Sequence, residues 1–307
     1  MIRKPMDVLA QFPVRKNKKQ KAAFRDEVQA YAKDLGYECS IEKGGSANNV
    51  VIGDPETAKI LVTAHYDTPA NMIVPNLITP CNFWTFMAYQ IAITLLIFLI
   101  SFLPVFALST MGIIAENASY IWLITLYVIL GLMMFGPGNK NNANDNTSGV
   151  VTVLETASKL PEDLRSQVCF VLFDLEEAGL VGSAQYYKKH KKAAREQIVL
   201  NCDCCGDGND IIFFPMKKLK KDEKIMENLR SLAVSEGELT LSIREKGFAY
   251  YPSDQKHFPY GVGIAAFNHS WAGPYCDKIH TNKDTVLNEK NVIFLRDKLI
   301  AFVKSSV

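Results

Sequence analysis

The sequence predicts an α/β fold: a three-layer sandwich of helices around a largely parallel mixed sheet, interrupted by a transmembrane helical hairpin. Three observations indicate this architecture. Strand-like apolar runs alternate with helix-like segments along the chain, as in sheets that are covered by helices. Two long apolar blocks lie between residues 86 and 136. Acidic residues and histidines recur directly after the predicted strands, where such sheets bind ligands.

Composition limits the class of protein. A chain of 307 residues is long enough for one large domain or two ordinary ones. The formal net charge of only +2 gives no indication of a nucleic-acid partner. Seven cysteines without the spacing of a disulfide framework fit a reducing compartment and free thiols.

The two apolar blocks predict membrane spans. A helix needs about 20 apolar residues to cross a bilayer core. The first block, "FMAYQIAITLLIFLISFLPVFAL", has that length, whereas the second, "YIWLITLYVILGLMMF", needs neighbouring residues or a thinner bilayer. Neither contains a charged residue, which favours lipid over the alternative of a buried hairpin in a soluble core. Pro104 is expected to kink or end the first span.

Basic residues predict the orientation of the hairpin. The short loop between the blocks has Glu116 and no lysine or arginine, while Lys140 and a basic N-terminal cluster lie outside the spans. The positive-inside rule therefore places both termini, and the domain they belong to, in the cytoplasm of a two-span membrane protein. The cluster could touch anionic lipid, although a solvated helix face is the commoner explanation. Its members are Arg15, Lys16, Lys18, Lys19, Lys21 and Arg25. We expect no signal peptide, because the first apolar block starts some eighty residues into the sequence.

The segments outside the hairpin predict the elements of the sandwich. Residues 1–82 and 137–307 are expected to form two parts of one domain, with residues 83–136 as the insertion. Helices are predicted over 24–38, ending near Gly36, over 148–160 and over 180–190. Asn144, Asp145 or Thr147 could cap the second of these helices, and His190 is interpreted as the solvated end of the third. Strands are predicted over 48–54, 59–67, 167–174, 197–203 and 263–269.

Candidate metal ligands follow these strands or lie in loops. The relevant residues are His65, Asp67, Asp145, Glu176, Glu177, Asp203, His280 and Asp284. Imidazole and carboxylate ligands without thiolates suit zinc, or another divalent metal, in a site kept open for catalysis. Cys202 and Cys204 flank one of the acids, but alternation along a strand predicts that both point away from it.

At this level of detail the sequence resembles the M28 zinc aminopeptidases, a family with two co-catalytic metals. The resemblance covers residues from about 45 to 290 apart from the hairpin, and it implies the zinc-peptidase fold. The matching pieces, in the family's order, are "HYD", "NDNTSG", "DLEEAGLVGS", "NCDCCG", "YYPSDQKHF" and "HTNKDT".

The resemblance implies roles for individual residues. One Zn²⁺ would be held by His65, Asp145 and Asp203. The second Zn²⁺ would be held by Asp145, Glu177 and His280, so that Asp145 bridges the two ions. Asp67 would orient His65, Glu176 would act as the general base that takes a proton from water, and Tyr250 would donate a hydrogen bond to the oxyanion. Tyr251 is the adjacent alternative for the last role.

The predicted function is a membrane-anchored di-zinc aminopeptidase that removes N-terminal residues from peptides. His65 and Asp145 must meet although the hairpin separates them, so the cleft is expected at the cytoplasmic membrane surface. Its partners would be the lipid bilayer and peptides that reside on the membrane or are delivered by a transporter. A hairpin that serves only as a tether is the alternative. Other functions left open are a glutaminyl cyclase-like acyltransferase with one zinc and a catalytically inactive membrane scaffold or receptor. The sequence indicates no oligomeric state.

Overall fold

The computed structural model describes residues 2–72, 74, 76–113 and 117–307. Within these residues, ten strands form one mixed sheet in the order β1-β2-β4-β3-β5-β9-β6-β8-β7, with β10 paired to β9. The strands are β1 Cys39–Gly44, β2 Ala47–Ile52, β3 Ile60–His65, β4 Val168–Phe173, β5 Ile198–Cys202, β6 Asp210–Pro215, β7 Val234–Glu236, β8 Leu239–Ile243, β9 Tyr260–Ser270 and β10 Gly273–Tyr275.

Helices cover both faces of this sheet, and two more project from it. They are α1 Val8–Gln11, α2 Lys18–Asp34, α3 Phe83–Thr110, α4 Ala118–Phe135, α5 Gly149–Lys159, α6 Val181–Lys189, α7 Lys191–Ala194, α8 Glu223–Arg230 and α9 Glu289–Ser306. Short 3₁₀ segments cover Pro5–Asp7, Glu162–Gln167, Leu219–Lys221 and Asp254–His257.

The α/β prediction is confirmed. The side chains of β4 point alternately to the two faces of the sheet, which explains why the fold has three layers. The strands β4, β3, β5 and β9 are mutually parallel, while the flanking pairs β1–β2, β2–β4 and β6–β9 are antiparallel. Phe170 and Leu172 of β4 belong to the larger apolar core with residues of α2, α5 and α9. Val171 and Phe173 face the opposite side and pack with Tyr186 of α6. Successive strand residues point to opposite faces, so each face requires its own layer of helices.

The predicted elements are present with shifted ends. Helix α2 begins before the predicted segment, because the side chain of Asn17 accepts a hydrogen bond from the Gln20 amide and caps it. It ends just before Gly36, whose φ of +82° suits a helix terminus. Helix α5 begins at Gly149, whose amide donates to Asn146 Oδ1 at 3.0 Å. The N-cap position is Ser148, whose side chain makes no capping hydrogen bond, and neither it nor Asn146 was among the three residues proposed for the cap.

The apolar blocks form α3 and α4, two helices long and apolar enough to cross a membrane. The most apolar 18-residue stretch of α3 has a mean hydropathy of 2.8, and only 6% of it is buried. The corresponding stretch of α4 has a mean hydropathy of 2.0, and none of it is buried. A core helix of a soluble protein would be mostly buried, so the exposure of both helices argues against that alternative. Pro104 lies inside α3, so of the two effects predicted for it, a kink or an end, the helix does not end there. Glu116, used above to orient the hairpin, lies outside the described residues.

His190 corrects the expectation of a solvated helix end. Its ring is only 5% exposed and lies between two carboxylates. Nδ1 is 2.5 Å from Glu56 Oε1, and Nε2 is 2.8 Å from Glu42 Oε2. The chain folds back so that β1 and the turn after β2 meet the end of α6, a long-range contact that local sequence does not show. Burial disfavours the charged ring, but hydrogen bonds to Glu42 and Glu56 outweigh it and raise the pKa of His190.

This contact predicts a pH-dependent contribution to stability. Because the pKa of His190 is raised on folding, the contribution is complete below the unfolded-state value of about 6.5 and is lost as pH rises through the higher folded value. His190→Gln should therefore lower the melting temperature by a few degrees at pH 6 and by much less at pH 9. The measurement is thermal unfolding in detergent at both pH values. His269→Gln, which changes an exposed histidine, is the control. An equal loss at the two pH values would contradict a role for the charged ring.

Candidate metal centre

Three of the predicted ligands lie where parallel strands end. His65 is the last residue of β3 and is paired in register with Phe173, the last residue of β4. Glu177 lies in the loop that follows β4, and Asp203 directly follows β5. Because parallel strands present their carboxyl ends at the same edge, the sheet itself brings these side chains together.

The other two ligands come from loops. Asp145 lies in an irregular segment, Ala143–Ser148, directly before α5, and His280 lies between β10 and α9. The peptide bond between Asp145 and Asn146 is cis. The carboxylate of Asp284 accepts hydrogen bonds from the backbone N–H groups of Asn144 and Asp145 at 2.7 and 3.0 Å. Asp284 thereby fixes the backbone that carries Asp145.

The carboxylate of Asp145 faces two imidazoles with different oxygens. Oδ1 lies 3.3 Å from Nε2 of His65, and Oδ2 lies 3.0 Å from Nε2 of His280. Asp145 is almost completely buried, at 4% exposure. A carboxylate that faces two imidazoles with separate oxygens could contact two metal ions.

The other two predicted ligands, Asp203 and Glu177, each lie beside one of these imidazoles. Nε2 of His65 lies 3.6 Å from Asp203 Oδ1, and Nε2 of His280 lies 3.6 Å from Glu177 Oε2. Ligand atoms of His65, Asp145 and Glu177 all lie within 4.8 Å of one another, as do those of His65, Glu176 and Asp203. The structure thus brings together all five residues that the sequence singled out as ligands.

The electrostatics of this cluster fit bound cations. Four acidic side chains lie close to two imidazoles, and His65, Asp145 and Asp203 among them are buried. Burial raises the pKa of Glu177 to about 8, against the opposing charge of His280. Glu177 Oε1 is buried and has no hydrogen-bond partner within the described residues. A divalent ion would satisfy that oxygen and offset the mutual repulsion, and oxygen and imidazole donors suit zinc.

Asp67 lies beside His65 through both its backbone carbonyl and its carboxylate. Its backbone carbonyl oxygen lies 3.1 Å from His65 Nδ1, whereas its carboxylate Oδ1 is farther from that nitrogen, at 3.6 Å. The carboxylate instead accepts hydrogen bonds from the backbone N–H groups of Glu176 and Glu177 at 3.0 and 3.2 Å. The carbonyl is therefore the nearer partner of the imidazole, while the carboxylate faces the same nitrogen and also fixes the loop that carries both glutamates.

Glu176 lies on the His65 side of the centre, close to an acid that sequence reasoning missed. Burial raises the pKa of Glu176 well above its usual value, and the charges of Glu177 and Asp254 raise it further against His65. Asp254 is fully buried, and neither of its carboxylate oxygens has a hydrogen-bond partner within the described residues. Burial raises the pKa of Asp254 to about 7. Asp254 lies in the motif "YYPSDQKHF", but no local pattern distinguishes this aspartate from a solvated one.

Arg15 connects the two segments that carry His65 and Asp145. Its guanidinium is fully buried, with Nε donating to the Tyr66 carbonyl at 2.6 Å. Nη2 donates to Thr147 Oγ1 at 3.0 Å and to Asn142 Oδ1 at 3.2 Å. Burial lowers the pKa of Arg15 to about 10, against the charges of the nearby aspartates. Arg15 is therefore an internal cation beside the acidic centre, which corrects its assignment to a solvated or lipid-facing cluster.

The two candidate tyrosines differ in their surroundings. Tyr250 lines the cleft above the centre and is 47% exposed. Tyr251 is buried, and its hydroxyl donates to the Asp203 carbonyl at 3.0 Å. Since the hydroxyl of Tyr251 is engaged in holding the segment after β5, Tyr250 is better placed to reach a ligand. Its role towards an oxyanion stays a prediction.

Cys204 corrects the expectation from strand alternation. Strand β5 ends at Cys202, and Cys204 has a left-handed backbone with φ of 57°. Its thiol consequently lies 3.3 Å from Asp203 Oδ1 and lines the cleft, whereas Cys202 is buried in the strand as expected. Leu175 and His280 are also left-handed, with φ of 58° and 62°. Such conformations cost about 1–3 kcal/mol each in non-glycine residues and concentrate at functional sites.

Comparison with known proteins gives the family. The model of "Peptidase family M28" matches residues 130–295, more than half of the chain. Aminopeptidase YwaD of Bacillus subtilis is 28% identical over 164 residues, which are 50% of this chain and 33% of that protein. The chain therefore spans about a third of the length of this curated relative.

Solved structures share the fold. A Zn-dependent exopeptidase from Parabacteroides distasonis superposes with a TM-score of 0.59 at 15% identity, over 97% of this chain and 94% of that one. A glutaminyl cyclase from Macrostomum lignano gives a TM-score of 0.55 at 14% identity, over 98% and 86%. These identities show the fold alone. The family match, by contrast, includes Asp145, both loop glutamates, Asp203 and His280, so the chain belongs to peptidase family M28.

Proposed function

We propose that this protein is a membrane-anchored aminopeptidase that uses two zinc ions. The observation that supports it best is Asp145, whose two carboxylate oxygens face His65 and His280 separately. Removal of N-terminal residues is proposed because the chain is similar to an aminopeptidase over half its length.

The residues at the centre divide into two ligand sets. One ion would be held by His65, Asp145 and Asp203, and the other by Asp145, Glu177 and His280. Paired ions supply Lewis acidity to a scissile carbonyl and lower the pKa of a nucleophilic water. The open cleft beside them, with a volume of about 330 Å³, leaves room for a substrate end.

The chain's own residues supply the remaining chemistry. Glu176 lies against the same side of the centre as His65, where its carboxylate can take a proton from the attacking water and return it to the leaving amine. Asp67 holds the Glu176 backbone in place through the amide hydrogen bond. Tyr250, which lines the same cleft, would donate a hydrogen bond to the substrate oxygen as charge develops there.

Hydrolysis is favoured over the two other candidates by the ligand set. A cyclase of this fold with one zinc would not need a carboxylate shared between two histidines. A scaffold without chemistry would keep several buried, mutually repelling acids at a cost and without benefit. The geometry gives neither alternative an observation of its own, and both are outcomes of the tests below.

We further propose that α3 and α4 span the cell membrane with the catalytic domain on the cytoplasmic side. The exposure of the two helices supports the spans, since apolar helices of this length are unstable in water, and the basic residues outside the hairpin support the orientation. The base of the hairpin is tied to the loop after β3: the Asn71 amide donates to the Pro137 carbonyl at 2.8 Å, and the Asn139 amide to that of Pro69 at 2.9 Å. Because that loop follows His65, the cleft would lie close to the membrane surface, where membrane-resident or transporter-delivered peptides could reach it.

Peptide hydrolysis tests the activity. Detergent-purified protein should remove residues stepwise from peptides with free amino termini, leave acetylated peptides intact, and stop when a zinc chelator is added. Mass spectrometry of a mixed peptide set provides the measurement. Loss of ammonia from peptides that start with glutamine would instead identify a cyclase. No change in any peptide would contradict the proposal.

Two substitutions separate metal binding from turnover. Asp145→Ala should lose both ions, because it removes the shared ligand. Glu176→Gln should keep both ions and lower kcat by about 100-fold or more, because only proton transfer is lost. Metal content by mass spectrometry and peptide turnover are the measurements. Asp163→Ala, at an exposed position, is the control. Full metal occupancy in Asp145→Ala would overturn the bridging assignment.

Membrane association can be tested on the full chain. The protein should stay with membranes washed in alkaline carbonate and be released by detergent, because apolar spans are held by lipid rather than by charge. In sealed right-side-out vesicles, tags at both termini should resist added protease. Release by carbonate would contradict the spans, and digestion of either tag would contradict the orientation.

A further inference from the structure

The cleft at the metal centre is bounded on one side by the first apolar helix. Phe86 and Gln90, in the first turns of α3, line the same cavity as His65, Glu176 and Tyr250. The insertion is therefore more than an appendage of the domain, because its first turns form one wall of the space in which a substrate would bind.

Hydrogen bonds hold the start of α3 against the loops of the site. Ile78 and Cys276 exchange backbone hydrogen bonds at 2.8 and 2.9 Å. The Tyr250 amide donates to the Pro80 carbonyl at 2.9 Å. Asn82 caps α3 through its Oδ1, and its Nδ2 donates to the Ala272 carbonyl at 2.9 Å. The position of Phe86 relative to the centre is consequently set by the domain.

Aromatic contacts continue this attachment into the cleft. The rings of Phe86 and Tyr250 have centroids 5.1 Å apart, and Phe83 packs edge-on against Phe248 at 5.3 Å. Leu77, Ile78 and Ile279 add apolar surface to the same cavity. The cleft is thus lined by apolar and aromatic side chains as well as by the acidic residues.

Gln90 indicates which face of α3 belongs to the cleft. It is an amide in an otherwise apolar stretch of a helix that we propose to be in lipid, where an unpaired amide is costly. Its side chain lies half-buried on the cavity side, one turn beyond Phe86. Both residues therefore face the site rather than the lipid.

We propose that Phe86, together with Tyr250, binds the side chain of the substrate's N-terminal residue and selects peptides that begin with a large apolar or aromatic residue. This inference rests on the proposed aminopeptidase function. Phe86 is a specificity-determining residue, supplied by the helix that also anchors the protein. A large apolar side chain fits here because it displaces water from an aromatic wall beside the reacting carbonyl.

Paired substrates test the proposal. Peptides that differ only in an N-terminal leucine, phenylalanine or alanine are hydrolysed by full-length protein in detergent. Phe86→Ala should lower kcat/KM for the leucine and phenylalanine peptides about tenfold or more relative to the alanine peptide, because it removes apolar contact that the larger residues use. Phe86→Leu should keep most of the preference. Phe106→Ala, at an exposed position in the same helix, is the matched control and should leave it unchanged.

Equal losses for all three peptides in Phe86→Ala, at unchanged metal content and melting temperature, would overturn the inference. So would the same change of preference in Phe106→Ala. Binding of L-leucinamide and L-alaninamide, measured by calorimetry, separates this inference from the function on which it rests. If the wild-type protein cleaves no peptide, the aminopeptidase proposal fails. In that case the proposed role of Phe86 is still supported if Phe86→Ala weakens the binding of leucinamide more than that of alaninamide. It is contradicted if the binding of both amides is weakened equally.

Discussion

The structure depends on holding several carboxylates within a few ångströms of one another in a buried site. Like charges at that distance in a poorly solvated interior repel strongly, so the chain must fix them by other means. Two aspartates do this in the same way: Asp67 accepts hydrogen bonds from the backbone of Glu176 and Glu177, and Asp284 accepts them from that of Asn144 and Asp145. Arg15 adds a buried positive charge and joins the neighbouring segments. These hydrogen bonds hold the backbone of the residues at the candidate metal centre in place.

The hairpin and the catalytic centre share this framework. The insertion leaves the chain after His65 and returns before Asp145, and both must lie at one centre. Its base is hydrogen-bonded to the loop after β3, and its first turns close one side of the cleft. A long insertion into a loop costs little conformational entropy when the two ends are already held close together. The hairpin is consequently coupled to the cleft, because a shift of α3 would move Phe86 and Gln90, which line it.

Sequence reasoning succeeded where local pattern decides the structure. The buried apolar runs predicted β3, β4, β5 and β9, and helical periodicity predicted α2, α5 and α6. It did not identify the strands β1, β6, β7, β8 and β10 or the helices α1, α7, α8 and α9, most of which are short. The errors at the site have a common origin. His190, Arg15 and Cys204 were interpreted from their neighbours in sequence, whereas distant segments and backbone conformation decide their surroundings.

By itself the sequence determined the α/β class, the two apolar helices and the five candidate ligands, because strand ends, apolar length and donor chemistry are local properties. Only the tertiary structure decided how those residues face one another and which atoms of Asp67 contact His65. It also decided that Asp254 is buried beside Glu176 and that α3 lines the cleft. These features depend on sheet register and on contacts between residues far apart in the chain. Such contacts form only when the whole domain packs, so no segment carries their signal alone.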